Sequence, residues 1–352
     1  MGRLAFIILA AVLFHSVCSI PLIVAQNSST RAVVFMYHRF GEDTFPSTSI
    51  RIEQFEQQLE FFKNNGFTVL PLEEIVDALS NNTSLPDRAI AITVDDAYRS
   101  VYEVAYPRLK ELSFPFTVFV APQTVDEGIA AYMSWQQIQE MHNNGVTFAN
   151  HSLNHEYLIR KNNEETRESW AKRVRTDIEE AQRRLQEELG SAPALFAYPY
   201  GEFNLELMDI VEQLGYTAFG QHSGSIGPLS DRRALPRFPV AEAFADMASF
   251  KTKAFSLPMP VAQQEPVNPQ TSDKRPLLTI RLASADGNLE QLACYFGNKP
   301  MRIQWVEPGK TFRIQADQDL PAGRSRYNCT APSSVENRYY WFSHQWILPT
   351  TR

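Results

Sequence analysis

The chain has 352 residues, of which 44% are hydrophobic and 21% charged, and its formal net charge is -7. This composition is typical of a soluble globular protein, and the length suits one large domain with a smaller one. The acidic balance argues against a nucleic-acid-binding protein, which would normally carry a basic patch.

The N-terminus has the pattern of a secretory signal. Arg3 gives it a positive charge, and an uninterrupted apolar run follows from residue 4 to residue 14. We predict a signal peptide over residues 1–25, cleaved after Ala25, with Ser19 as the alternative site. A short membrane anchor is the rival interpretation, although this run is shorter than the roughly 20 residues that a bilayer span needs. The mature protein is therefore expected to be periplasmic or secreted, without stable insertion into a membrane.

Three cysteines are present, and Cys18 lies in the predicted signal. The other two, Cys294 and Cys329, are expected to form a disulfide, because exported chains mature in an oxidising compartment. Two unpaired buried thiols are the alternative. A zinc site at this pair lacks the further cysteine and histidine ligands that such sites need.

Strands and helices alternate through the first two thirds of the chain. The stretch RIEQFEQQLEFFKNNGF places Phe55, Leu59 and Phe62 at helical spacing, which predicts an amphipathic helix that stops at Gly66. The main predicted strands are RAVVFMYHRF, AIAITV, FPFTVFVAP, VTFANHS, PALFAYPYG and YTAFGQHSG, with a helix from about Ala97 to Leu112 after the second. This alternation predicts a parallel sheet with right-handed crossovers that closes toward a β/α barrel, in a catalytic domain over residues 26–255.

The composition changes after Phe255. Residues 256–276 are rich in proline and glutamine and are interpreted as an interdomain linker. Over residues 277–352, short β-like runs separated by Gly and Pro predict a small antiparallel β-sandwich, in which Cys294 and Cys329 would join two strands. Its aromatic side chains are expected either to fill the core or to stack on sugars: Trp305, Tyr339, Tyr340, Trp341 and Trp346.

The carboxyl ends of barrel strands share one face, where active sites form. The polar side chains expected there are His38, Asp95, Asp96, His151, His155, Tyr198, Tyr200 and His222. Taken alone, Asp95 and Asp96 are also typical of a turn followed by a helix N-cap. The four-residue spacing of His151 and His155 can arise by chance. Together, two imidazoles and one carboxylate make a three-ligand facial set for a divalent metal. The other aspartate then stays free as a general base.

The motifs TVDDAY, HSLNH and FAYPYG, in this order and approximate spacing, resemble the three main motifs of the polysaccharide deacetylases, carbohydrate esterase family 4. That family includes chitin, peptidoglycan and poly-N-acetylglucosamine deacetylases. The resemblance covers roughly residues 31 to 250. It implies a distorted β/α barrel, a divalent metal ion of the zinc type and hydrolysis of N-acetyl groups from a glycan.

The resemblance also implies roles for individual residues of the three motifs. The resemblance implies that Asp95 is the general base. The metal ligands that it implies are Asp96, His151 and His155. The backbone N–H of Tyr200 would help the metal to stabilise the tetrahedral oxyanion. The residues that it implies in the substrate cleft are Tyr37, His38 and Tyr198.

Two departures from the family pattern matter. Many members have an arginine that orients the base two residues before the proline of the third motif, where this chain has Ala197. Arg237, in LPRFPV, is our candidate for that task and a further residue of the cleft. The family's general acid, a histidine in an L-x-H context, has no clean counterpart. His222, in GQHSG, is assigned to that role, with a polar cleft residue as the alternative interpretation and His38 as the next candidate acid.

The sequence thus predicts a metal-dependent deacetylase that releases acetate from a glycan containing N-acetylhexosamine. An O-acetyl esterase on the same scaffold is one alternative. A glycan-binding protein whose barrel no longer catalyses is another, and the intact Asp95, Asp96, His151 and His155 argue against it. The expected partner is the acetylated glycan, with no nucleic acid involved.

Overall fold

The computed structural model describes residues 30–283, 291–335 and 337–349. The predicted signal peptide, with both cleavage sites and Cys18, lies outside these residues. In the described part of the chain, no helix is both long enough and apolar enough to cross a bilayer.

The larger part of the molecule is built on one parallel sheet. The strands of this part are β1 Val33–Tyr37, β2 Arg39–Phe40, β3 Ser49–Ile50, β4 Thr68–Val69, β5 Ala89–Asp95, β6 Phe116–Val120, β7 Thr147–Asn150, β8 Leu195–Ala197, β9 Thr217–Phe219 and β10 Phe238–Pro239. The sheet runs in the order β10, β1, β5, β6, β7, β8, β9, and β4 pairs with the start of β5. β2 and β3 form a separate parallel pair.

A short segment closes this sheet into a distorted barrel. Leu235 donates its amide hydrogen to Ala218 on β9 and accepts from Gly220, at N–O distances of 2.7 and 2.9 Å. Three residues later, Phe238 pairs with Phe35 on β1. Residues 235–239 therefore connect the two edges of the sheet, as the predicted β/α barrel requires.

Helices cover the outside of the sheet. They are α1 Ile52–Asn64, α2 Leu72–Asn81, α3 Tyr106–Glu111, α4 Pro122–Asp126, α5 Trp135–Asn143, α6 Arg167–Leu189, α7 Leu205–Gln213 and α8 Met247–Ala254. In α1, the predicted inward residues Phe55, Leu59 and Phe62 are all buried. Short 3-10 turns occur at Pro199–Gly201 and Glu242–Phe244.

The helix predicted from Ala97 to Leu112 begins later than expected. Asp96 and Ala97 have φ angles of 74° and 52°, in the left-handed region, so the chain forms a loop after β5. A π-helical turn at Val101–Ala105 then leads into α3. Because Pro107 has no N–H, the regular helical hydrogen bond at that position is missing and a wider turn precedes it.

From Leu257 onward the chain forms two sheets that pack face to face. Their strands are β11 Leu257–Pro258, β12 Val261–Glu265, β13 Leu278–Leu282, β14 Ala293–Phe296, β15 Lys299–Met301, β16 Ile303–Glu307, β17 Thr311–Ile314, β18 Gly323–Pro332 and β19 Tyr339–Leu348. One sheet has the order β11, β19, β18, β14, β15, and the other β12, β13, β17, β16. The core between them contains the Cys294–Cys329 disulfide, which joins β14 to β18 as predicted. We call residues 257–349 the β region.

The first part of the predicted linker over residues 256–276 forms the strands β11 and β12 of this β region. β11 pairs with β19, and β12 pairs with β13. No side chain of β12 is buried, so backbone hydrogen bonds hold this edge strand. A polar edge strand resembles a linker in composition.

The aromatic side chains of the β region serve mainly in packing. Trp346 is fully buried in the sandwich core, and Trp305 packs edge-on against Phe312. Trp341 packs against Phe238 of the barrel, with ring centroids 5.2 Å apart. These contacts favour the core role over sugar stacking for these three residues.

Candidate active site

Strand alternation explains why β5 ends in an inward-facing carboxylate. Ile90, Ile92 and Val94 pack in the cluster between the sheet and its helices, whereas Ala89 and Ala91 pack in a second cluster. That second cluster contains one or more residues from each long barrel strand, including Val34, Phe119, Ala149, Ala197 and Phe219, and lines the barrel interior. Continuing the alternation, Thr93 and Asp95 point into the barrel.

Inside the barrel, Asp95 is held by Arg237. The guanidinium donates two parallel hydrogen bonds to the carboxylate, at 2.7 Å to Oδ1 and 2.8 Å to Oδ2, and both side chains are fully buried. Arg237 also donates to the Gly220 carbonyl and the Thr93 hydroxyl. Burial alone would raise the pKa of Asp95, but Arg237 and His151 outweigh that effect and hold this pKa below its usual range. Asp95 is therefore ionised and fixed in position.

Asp96, His151 and His155 converge beside Asp95. Asp96 Oδ1 lies 3.3 Å from His151 Nε2 and 3.2 Å from His155 Nε2. One ligand-type atom from each of the three residues lies within 4.8 Å of the others. Two imidazoles and a carboxylate at this separation form a donor set that suits one divalent ion.

The protonation pattern of the histidines fits a metal. His151 Nδ1 lies 2.7 Å from the Ala197 carbonyl oxygen, so Nδ1 carries the hydrogen and Nε2 presents its lone pair. Nε2 is buried and has no hydrogen-bond partner among the described residues. Burial and the neighbouring His151 lower the pKa of His155 to about 4, so this ring is neutral near neutral pH. Burial lowers the pKa of His151, but the neighbouring Asp96 carboxylate outweighs that effect and raises it. The three residues therefore fit a divalent metal in geometry and in donor type.

The backbone around the donor set is unusual. Five residues other than glycine have positive φ angles in the three motif loops: Asp96, Ala97, Ser152, His155 and Tyr200. Such residues rarely adopt this conformation, and clusters of them occur where a function requires a particular side-chain direction. The loop geometry here turns Asp96 away from the interior direction of Asp95 and toward the histidines.

Side-chain hydrogen bonds support the HSLNH loop. The Ser152 amide donates to Asn150 Oδ1 and the His155 amide to Ser152 Oγ, at 2.9 and 3.0 Å. Between the two histidines, the Leu153 amide donates to Asp177 on α6. These bonds fix the loop independently of any ion, so both imidazoles are positioned in advance.

Tyr200 lies directly over the donor set. Its ring packs edge-on against His155, at 4.4 Å between centroids, and stacks on Tyr157 at 3.8 Å. Its φ of 57° orients the peptide that follows Pro199. No described residue accepts a hydrogen bond from the Tyr200 amide N–H, which leaves this donor available to a ligand.

A cavity of about 680 Å³ opens beside the donor set. Asp96, His155 and Tyr200 line one part of it, and His38 lines another. His38 is on the same face of its segment as Met36, which also lines the cavity, because side chains alternate along β1. We call this cavity the cleft.

Two residues predicted for the cleft lie elsewhere. Tyr37 precedes His38 and therefore points to the opposite side of β1, where it is fully buried and its hydroxyl donates to Gln58 at 2.8 Å. Tyr198 likewise points away from the barrel interior, packs against Phe196 and donates to the Arg233 carbonyl. Both tyrosines pack in the barrel wall and are not among the residues that line the cleft.

His222, predicted as the general acid, does not line the cleft. β9 ends at Phe219, earlier than predicted, and the loop beyond it turns His222 toward a separate cavity of about 490 Å³ that also contains Trp341. Burial and the nearby Arg326 lower the pKa of His222 to about 3. This placement removes the geometric basis for His222 as the acid.

The sequence analysis also missed one wall of the cleft. Arg324, Ser325 and Arg326 on β18 and Gln345 on β19 line it. Gln345 donates to the Gly201 carbonyl at 2.7 Å, next to Tyr200. These residues match no motif of the resemblance. The one signal in the sequence is that Arg324 and Arg326 are two positions apart, a spacing that puts two side chains on the same face of a strand.

Comparisons with known proteins agree with this site. Residues 82–219 match the family model described as polysaccharide deacetylase. A poly-beta-1,6-N-acetyl-D-glucosamine N-deacetylase of Escherichia coli (strain K12) is 24% identical over 228 residues, which are 55% of this chain and 34% of that protein. A protein of the same name from Staphylococcus aureus (strain MRSA252) is 24% identical over 213 residues, or 59% of this chain and 73% of that protein.

Among solved structures, the Streptococcus pyogenes deacetylase PplD in complex with acetate is 26% identical, with a TM-score of 0.56. The match covers 62% of this chain and 95% of PplD. The chain spans only about a third of the length of the E. coli relative. Residues 82–219, which carry the paired aspartates, the two histidines and the Pro-Tyr-Gly turn, are therefore similar to the polysaccharide deacetylases.

Proposed function

We propose that this protein removes N-acetyl groups from a glycan containing N-acetylhexosamine and releases acetate, with the help of a divalent metal. One observation carries the proposal: Asp95, ionised and held by Arg237, directly precedes Asp96 of the donor set, and Asp96 and His155 line an open cleft. A free carboxylate beside a three-ligand set is the arrangement that metal-assisted hydrolysis needs.

Asp96, His151 and His155 would hold the metal, and zinc is our choice because two imidazoles and one carboxylate suit it. When bound, the ion would polarise the acetamide carbonyl and make a water molecule more acidic. Ala197 would keep His151 in the tautomer that ligates through Nε2.

Each remaining group of the site has a task in acyl transfer. Asp95 would take the proton of the attacking water, while Arg237 keeps the carboxylate charged and oriented. The Tyr200 amide would donate to the oxygen of the acetamide carbonyl as negative charge develops there. His38, which also lines the cleft, would give a proton to the departing nitrogen.

The relatives suggest where to begin with substrates. Poly-β-1,6-N-acetylglucosamine appears in the names of both the E. coli and S. aureus proteins. We further propose that the mature protein is periplasmic or secreted. The apolar N-terminal run and the Cys294–Cys329 disulfide support this location.

Acetate release tests the proposal directly. The full chain, loaded with zinc, is incubated with poly-β-1,6-N-acetylglucosamine, chitooligosaccharides and an O-acetylated glycan. We expect acetate from at least one acetamido glycan, loss of activity with a chelator and recovery with zinc. The Asp95→Asn protein serves as the matched inactive control. Acetate from the ester alone would contradict N-deacetylation and favour an O-acetyl esterase.

A further inference from the structure

The β region contributes two arginines to the cleft. Arg324 and Arg326 are two positions apart on β18, so their side chains lie on the same face of the strand. Both line the cavity that also contains Asp96 and His155. Across the strand pair, Arg326 is opposite Gln345, whose amide is hydrogen-bonded to Gly201. The two arginines are therefore anchored next to the third motif loop.

Neither guanidinium is neutralised by an ion pair. Among the described residues, no carboxylate oxygen lies within 4.0 Å of Arg324 or Arg326. Other arginines near the site are paired: Arg237 with Asp95, and Arg39 with Glu42. Glu202 is the acidic group whose charge acts on Arg324, but it forms no ion pair with it. The cleft thus carries two cations whose charge is not compensated by contact.

The hydrogen bonds of the two arginines are also incomplete. Arg324 uses Nη1 to donate to Gln221 Oε1 at 2.8 Å. Arg326 uses Nη1 to donate to the Ser223 hydroxyl at 3.1 Å and to the Gln221 carbonyl at 3.4 Å. All these acceptors are neutral. A guanidinium has five N–H donors, so most of the donors remain available on each side chain.

Ser325, which lies between them in the chain, is on the opposite face of β18, and its buried Oγ has no hydrogen-bond partner among the described residues. Arg324 is exposed, whereas Arg326 is half-buried, and burial lowers the pKa of Arg326. A desolvated cation without a counter-ion costs free energy, which a bound anion would recover.

We infer that Arg324 and Arg326 form a binding site for an anionic substituent, a carboxylate or a phosphate, on the glycan strand that occupies the cleft. The inference rests on the proposed deacetylation and narrows its substrate to an acidic glycan. A guanidinium recognises both anions in the same way, through paired hydrogen bonds. The β region would then select substrates while the barrel performs the hydrolysis.

Binding of matched oligosaccharides tests the inference without relying on turnover. Calorimetry compares a hyaluronan hexasaccharide, which alternates N-acetylglucosamine with glucuronate, with the neutral chitohexaose. We expect the acidic ligand to bind about ten-fold or more tightly, since charge-assisted hydrogen bonds are worth one to two factors of ten. Free glucuronate and inorganic phosphate are then tested as competitors of the hyaluronan hexasaccharide. The stronger competitor shows whether the site prefers a carboxylate or a phosphate.

Substitutions test whether the two arginines cause the preference for the acidic hexasaccharide. Arg324→Gln and Arg326→Gln are expected to weaken binding of the acidic hexasaccharide about ten-fold while leaving chitohexaose unchanged. Arg326→Lys should keep part of the preference because it keeps the charge. Arg313→Gln, an exposed arginine on β17 in the other sheet, is the matched control and should behave as wild type.

The outcomes separate this inference from the proposed function. Equal binding of the two hexasaccharides by the wild type, or wild-type affinity in Arg326→Gln, would overturn the anion site even if acetate is released. Arginine-dependent binding without acetate release from any glycan would keep the anion site and overturn deacetylation. If a glutamine variant fails to fold, rising ionic strength applied to the wild type gives the same answer. The affinity for the hyaluronan hexasaccharide must then fall as the salt concentration rises, while the affinity for chitohexaose stays constant.

Discussion

Arg237 clamps Asp95 through two parallel hydrogen bonds, although the two residues are 142 positions apart in the sequence. The segment that closes the barrel supplies this arginine. Ala197, at the position where the resemblance leads one to expect the orienting arginine, packs instead in the barrel interior. Asp95 is therefore held by a residue next to β10 instead of one on β8, and the same ion pair helps to fasten residues 235–239 to the barrel.

The first prediction concerns this clamp. Arg237→Lys keeps a positive charge but cannot make both hydrogen bonds, so we expect kcat to fall by about ten- to a hundred-fold with KM nearly unchanged. Arg237→Met leaves the Asp95 charge buried and unpaired, and unfolding free energy should fall by about 3–5 kcal/mol. Steady-state acetate release and denaturant unfolding measure the two effects.

A double variant provides the control for the clamp. Asp95→Asn combined with Arg237→Met removes both charges, so it should be more stable than Arg237→Met alone. Equal stability of the two proteins would show that the charge of Asp95 is compensated by another group.

The second prediction separates the two adjacent aspartates. Asp95→Asn should bind zinc as well as the wild type but lose about two to four factors of ten in turnover, because the amide cannot take a proton. It also leaves the buried Arg237 without its counter-ion, so its unfolding free energy should fall as well. Asp96→Asn and His155→Ala should lose zinc as well as activity, since three ligands leave little redundancy. Metal analysis after gel filtration measures occupancy. Zinc loss in Asp95→Asn with retention in Asp96→Asn would mean that the two roles are exchanged.

The barrel and its motif residues could be predicted because their signals are local. The alternation of apolar strands and amphipathic helices depends on neighbouring residues, as in α1 with Phe55, Leu59 and Phe62. The strand ends carrying Asp96, His151 and His155 meet because the carboxyl ends of parallel strands share one face. The local sequence pattern, together with the rule that parallel strand ends share one face, was therefore sufficient to predict the barrel and the position of its motif residues.

The errors have a common cause, which is that the direction of a side chain depends on where a strand ends. Tyr37 and His38 are adjacent, and strand alternation places only His38 in the cleft. His222 was expected at a strand end, but β9 stops at Phe219 and the following loop turns away. Arg324 and Arg326 reach the cleft through packing between the barrel and the β region, for which no local pattern exists.

The third prediction concerns the proton that the departing nitrogen needs. An amine leaves poorly without protonation, whereas an activated aryl acetate has a leaving group that requires little. His38→Ala is therefore expected to lower amide hydrolysis by about a hundred-fold or more and aryl acetate hydrolysis much less. Both rates are measured on the same zinc-loaded protein.

His222→Ala is the matched control for this experiment, because His222 lies in the separate cavity. It should reduce the two rates equally, or not at all. A selective loss of amide hydrolysis in His222→Ala, with none in His38→Ala, would return the acid role to His222 and require the loop after β9 to move.

The fourth prediction concerns Asp177 on α6, which accepts a hydrogen bond from the Leu153 amide at 3.1 Å. Burial raises the pKa of Asp177 to about 6. An aspartate in an unfolded chain titrates at about 3.9, so the folded state holds this proton more tightly. The resulting stabilisation is complete below about pH 4 and is lost as the pH rises through about 6. At neutral pH the ionised Asp177 therefore lowers the free energy of unfolding.

Asp177→Asn keeps an oxygen acceptor for Leu153 but cannot ionise. We expect its Tm to exceed that of the wild type at about pH 8 and to equal it at about pH 4. Thermal unfolding across this range, at a fixed zinc concentration, is the measurement. Asp177→Ala removes the acceptor altogether, so it should lower Tm at every pH and weaken zinc binding through the loosened HSLNH loop. An Asp177→Asn protein that is less stable than the wild type at about pH 8 would mean that the charge of Asp177 is itself stabilising, with Arg173 as the cation that acts on it.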